Sequence, residues 1–74
     1  MKQSGAIVLT KTNVAQALMI YESINLVYGR TLNPYNRSLT SGGSSGGEAA
    51  LLAMKGSALG VGSDYGGSIR QPSA

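Results

Sequence analysis

At 74 residues the chain is one domain at most, and a domain of this size buries only roughly 60% of its unfolded surface. It has no cysteine and no histidine, which excludes disulfides, iron–sulfur clusters and thiol catalysis and argues against a structural zinc site. Its net charge of +3 is carried by singly scattered basic residues, without the clustered face of a nucleic-acid footprint, so no nucleic-acid partner is expected. No apolar run approaches the ~20 residues of a membrane span. The start, Met1-Lys2-Gln3-Ser4-Gly5, leads into fewer apolar residues than the ~7–15 of a signal peptide. A cytoplasmic location without a transmembrane segment is the expectation.

Ala6-Ile7-Val8-Leu9-Thr10 is short, apolar and β-branched, and reads as a buried strand. Thr12 and Asn13 offer helix-cap chemistry, with Gln16 completing a capping box if Asn13 is the N-cap. Val14, Ala17, Leu18 and Tyr21 recur at helical spacing and predict a helix from about Val14 to Glu22. From Ser23 to Gly43 periodicity fades among the turn residues Asn25, Gly29, Asn33, Pro34 and Asn36, so a long loop is expected. Asn36-Arg37-Ser38 fits a glycosylation sequon, which without a secretory signal reads as a chance match. Glu48 to Lys55 is rich in helix formers, with Glu48 at the positive N-terminal end and Gly56 able to stop it. Ala58 to Gly62 reads as a second short strand running into Asp64-Tyr65-Gly66-Gly67-Ser68, and a following helix would begin near Pro72. The order strand–helix, then helix–strand, indicates an α/β layered fold. Two short strands and two short helices cannot cover both faces of a sheet, so residues 1–74 are expected to be a fragment of a single larger domain.

The chemistry lies in two glycine–serine stretches, Gly42-Gly43-Ser44-Ser45-Gly46-Gly47-Glu48 and Gly62-Ser63-Asp64-Tyr65-Gly66-Gly67-Ser68-Ile69-Arg70. Glycine lets backbone N–H groups approach a ligand closely, and hydroxyls beside such groups suit a serine nucleophile with an oxyanion site. Phosphate binding is disfavoured: no Gly-Lys-Ser/Thr tripeptide occurs, and Gly60-Val61-Gly62 lacks the third glycine of a dinucleotide fingerprint. Gly42-Gly43-Ser44-Ser45-Gly46 formally matches a nucleophile elbow, but the residues before it are turn-like and no histidine base exists. A serine activated by a lysine or through a second hydroxyl is the remaining route.

Tyr28-Gly29-Arg30-Thr31-Leu32-Asn33-Pro34, followed by GGSSGGEAALLA and GVGSDYGGSIRQPSA, is similar to the hallmark of the amidase signature family. Gly5 to Leu9 and Lys11-Thr12-Asn13 resemble its preceding strand and turn. The resemblance covers essentially the whole chain but only part of the family's domain, and it is nearest to fungal acetamidase-like members and fatty acid amide hydrolases. It implies a piece of the amidase-signature α/β/α fold, a mixed sheet flanked by helices. It also implies a small-molecule amide substrate, no metal and no cofactor. Carried over residue by residue, Ser68 is the acyl-ester nucleophile and Ser44 the relay serine, held by a cis peptide bond in a Ser–cisSer–Lys triad. The N–H groups of Tyr65, Gly66, Gly67 and Ser68 would form the oxyanion hole. The family's lysine lies upstream of the matched motifs, and Lys2, Lys11 and Lys55 do not match it. The chain alone is therefore expected to be inactive, the alternative being a non-catalytic remnant or interaction module. Leu18 and Met19 fall where the family lines its substrate pocket, although core packing explains them equally. Tyr65 stands where the family often has Ile. Asp64 and Arg70 are expected to fix the nucleophile loop by ion pairing or hydrogen bonds, and Ser45 and Ser63 to support its geometry.

Overall fold

The structure, a computed structural model, describes residues 2–74. Its regular elements are two antiparallel strands, β1 (Ile24–Asn25) and β2 (Gly29–Arg30), and two helices, α1 (Gly46–Ala53) and α2 (Arg70–Ser73). Short 3-10 turns occupy Lys2–Ser4 and Gln16–Leu18. These pieces fit part of an α/β domain.

Neither predicted strand forms. Residues 6–10 and 58–62 run without a ladder partner among the described residues. Both line one open groove of about 630 Å³, and Ile7, Val8, Leu9, Leu59 and Val61 are exposed. A strand exists only where a neighbour takes its N–H and C=O groups. Here an apolar, β-branched run is present and the neighbour is not.

The helix expected over Val14 to Glu22 is replaced by the single turn at Gln16–Leu18, whose Ala17 and Leu18 take φ values of +56° and +59°. An α-helix needs φ near −63°, so two consecutive left-handed residues end it at once. Among the described residues Ala15 is the one buried apolar side chain. Tertiary contacts override the periodicity in this segment.

The long loop is more ordered than its composition suggests. β1 and β2 pair Ile24 with Arg30 and Asn25 with Gly29, and an isolated bridge joins Leu32 to Thr40. Three asparagines hold the turns through their side-chain oxygens. Asn25 Oδ1 accepts from the N–H groups of Val27 and Tyr28 at 3.0 and 2.7 Å, Asn33 Oδ1 from Tyr35 at 2.9 Å, and Asn36 Oδ1 from Ser38 at 3.1 Å.

α1 matches the expected helix but begins two residues earlier, on Gly46 and Gly47. Glycine is a poor helix former, yet two first-turn N–H groups find partners across the chain. Gly46 N–H donates to Ser23 Oγ at 2.7 Å and Gly47 N–H to the Asn13 carbonyl at 3.2 Å. At the other end, Gly56 N–H reaches the Leu51 carbonyl at 2.9 Å and Lys55 N–H that of Leu52 at 3.0 Å. This is a Schellman closure, with the left-handed position (φ +60°) on Lys55 rather than on the expected glycine.

Candidate active site

The buried centre of the molecule is built from small residues: Ser23, Gly43, Ser44, Gly46, Gly47, Gly67 and Ser68, beside Ala15. Ser44 is 2% exposed and Ser68 8%. The two glycine–serine stretches are thus brought together, and Ser45 N–H donates to the Ser68 carbonyl at 3.0 Å. Ser45 Oγ also donates to the Ser63 carbonyl at 3.4 Å. Glycine permits the approach: a Cβ at Gly62 would stand 3.0 Å from Ser45 Oγ, and one at Gly42 would stand 3.2 Å from the Pro72 nitrogen. The Gly43–Ser44 peptide bond is cis.

Asp64 organises the loop that carries Ser68. Its carboxylate accepts from the N–H groups of Gly67, Ile69 and Arg70 at 2.6, 2.9 and 3.1 Å. The Arg70 guanidinium adds a two-pronged contact at 3.1 and 2.9 Å, so the expected fixing of the loop by these two residues is present. The guanidinium first, and then the backbone N–H groups, hold the Asp64 carboxyl well below the usual carboxylate range. The same pairing raises Arg70. Of the four N–H groups expected to face an oxyanion, that of Gly67 is engaged by Asp64. Those of Tyr65, Gly66 and Ser68 donate to nothing among the described residues.

Tyr21 also holds this loop. Its hydroxyl donates to the Gly66 carbonyl at 2.8 Å, and its ring lies so close to Gly67 that a Cβ there would fall 2.9 Å from Cε1. The Tyr65 side chain is fully exposed.

Leu18 lines a cavity of about 330 Å³ together with Val14, Ser44, Ser45, Val61 and Ser63. Met19 is 82% exposed and lies outside that lining. Glu48, also at the cavity, accepts from Thr12 Oγ1 at 3.0 Å. Among the described residues no group of three or more His, Cys, Asp or Glu is placed to hold a metal ion. No helix among them is long and apolar enough to cross a membrane.

The roles of three residues important to this arrangement were not legible in the sequence: Asn13, Tyr21 and Ser23. Asn13 is not a helix cap. Its Nδ2 donates to the Ser23 carbonyl at 2.9 Å and Thr31 Oγ1 at 2.9 Å, with Gly29 O at 3.2 Å, while Oδ1 accepts from Asn25 at 2.6 Å. The only signal in the sequence is a polar Thr12-Asn13 pair ahead of an apolar stretch, which points equally well to a local cap.

The whole chain, residues 1–74, matches the profile of the Amidase family. It is 54% identical over all 74 residues to the acetamidase of Aspergillus oryzae and covers 14% of that protein. It is 55% identical over 74 residues to the vitamin D3 hydroxylase-associated protein of Gallus gallus, covering 16% of it. An amidase of Gibberella moniliformis is 56% identical over 97% of this chain, which covers 14% of the relative. The chain thus spans about one-seventh of the length of these relatives. With a profile match from the first residue to the last, and with both glycine–serine stretches inside it, the chain belongs to the amidase family.

Proposed function

We propose that residues 1–74 are the portion of an amidase-signature α/β/α domain that carries its nucleophile and relay serines, and that the whole domain hydrolyses carboxamides. The observation that carries this reading is the joining of two distant serine stretches in one buried cluster through the Ser45–Ser68 backbone bond. In the proposed reaction Ser68 Oγ attacks the amide carbon as its proton passes through Ser44 toward a lysine supplied upstream. The carbonyl oxygen becomes an oxyanion facing the N–H groups of Tyr65, Gly66 and Ser68. Loss of one such donor typically costs about 10²–10³ in rate. Collapse of the intermediate breaks the C–N bond and releases the amine with a proton. Water then cleaves the acyl–Ser68 ester to give the acid. The cavity beside Ser44 and Leu18 is where the acyl group would enter; Met19, exposed and outside its lining, would meet substrate only beyond it.

The test places residues 1–74 in an amidase-length polypeptide, in exchange for the matching segment of the Aspergillus oryzae acetamidase. That protein should hydrolyse amides, Ser68→Ala should remove the activity, and Ser44→Ala should lower it by orders of magnitude. The 74-residue chain alone should show no turnover. An exchanged protein that folds but is inactive with both serines present would favour a remnant or interaction module. Activity surviving Ser68→Ala would refute the assigned nucleophile.

A further inference from the structure

We infer that Ser23 is a positioning residue for the serine pair, holding the backbone on both sides of Ser44; this rests on the reading of Ser44 and Ser68 as relay and nucleophile. Ser23 is 0% exposed and is the largest fully buried side chain among the described residues. Its hydroxyl oxygen accepts from Gly46 N–H at 2.7 Å and lies 3.0 Å from the Ser44 carbonyl and 3.2 Å from that of Gly42. One hydroxyl proton is shared between the two carbonyls, and one of the two lone pairs accepts from the amide. A single side-chain atom therefore ties down three peptide groups in the run 42–46, with Ser44 at its middle.

Ser23 is itself anchored. Its carbonyl accepts from Asn13 Nδ2 at 2.9 Å and from Thr31 N–H at 2.8 Å. Two glycines of the serine stretch make room for this contact. A Cβ at Gly46 would fall 2.5 Å from Ser23 Oγ, and one at Gly43 would fall 2.5 Å from the Glu22 carbonyl carbon. The arrangement runs from Asn13 through Ser23 to the Ser44 backbone, and through Ser45 to Ser68. Ser23 itself, fully buried, is placed to act only through the position of Ser44.

The test uses the amidase-length polypeptide described above, with active sites titrated by an irreversible serine-directed fluorophosphonate. Ser23→Ala should lower kcat per titrated site about 10²-fold, the scale of a small misplacement of a reacting group, with KM changed by less than about twofold. Ser23→Cys, which keeps the volume but hydrogen-bonds weakly, should fall between parent and alanine variant. A purely structural role would reduce the number of titratable sites and leave kcat per site unchanged in both variants, and that result overturns the inference. If the alanine variant does not fold, the cysteine variant decides alone by the same criterion. Ser68→Ala separates the two readings. Activity lost there with Ser23 variants unaffected removes only the role of Ser23, whereas activity surviving in Ser68→Ala removes both.

Discussion

Gly47 sits in the first turn of α1, where replacing glycine by alanine ordinarily strengthens a helix by about 1 kcal/mol. Here the surroundings reverse the sign. A Cβ at Gly47 would overlap the backbone nitrogen of Asn13, and it would lie 2.6 Å from the Asn13 oxygen and 3.0 Å from its Cα. Backbone atoms cannot swing aside as the end of a flexible side chain can, so the segment carrying Asn13 must move. Overpacking of that kind costs about 1–3 kcal/mol. The shift also breaks the 3.2 Å bond from Gly47 N–H to the Asn13 carbonyl, worth about 1 kcal/mol. The net expectation for Gly47→Ala is destabilisation of α1 by about 2 kcal/mol. Local opening is read by hydrogen exchange at the Ala49, Met54 and Gly56 amides, all bonded within or at the end of the helix. They should exchange about 30-fold faster in the variant. Gly66→Ala serves as the control, because a Cβ there meets only the Tyr21 hydroxyl at 3.4 Å. Unchanged or slower exchange in Gly47→Ala would show that the close approach of Asn13 to α1 is wrong.

The Asp64 clasp predicts an acid dependence of definite sign. The folded carboxyl is held below the ordinary range while the unfolded one takes up its proton near pH 3.9, so below that pH the unfolded state binds more protons. Stability from this contact is full above about pH 3.9 and declines as pH falls toward the depressed folded value. The carboxyl carbon resonance of Asp64 should therefore keep its ionised position below about pH 3.9, and a midpoint at or above that value would contradict the geometry. Lys55 holds a left-handed conformation that costs a non-glycine residue about 1–2 kcal/mol, so Lys55→Gly should stabilise α1 by about 1 kcal/mol. Exchange at the Gly56 amide should slow several-fold; acceleration would mean that the Schellman closure is absent.

What could be read from the sequence follows the range of the interactions involved. α1 was visible because Ala49, Ala50, Leu51 and Leu52 favour a helix by local propensity. Its true start was not, because the partners of Gly46 and Gly47 lie on Ser23 and Asn13, more than 20 residues away. The serine stretches were visible because glycines cluster only where backbone must come close to something. Their supports were hidden because an asparagine or serine chooses its partner by topology. Tyr21 illustrates this, since it counted toward a helical stripe and instead reaches Gly66, 45 positions on. The runs 6–10 and 58–62 carry strand-like residues, but a ladder is a property of two segments, and their partners are absent from the described residues.

The cluster around Ser44 and Ser68 contains no buried side chain longer than that of serine. In the proposed enzyme, the shape of the reaction centre is then written in backbone and cannot be resculpted by swapping one bulky group for another. In that enzyme, evolution toward a different amide would have to work at the margin, through a position such as Leu18 in the cavity wall, while the machinery that breaks the bond stays the same.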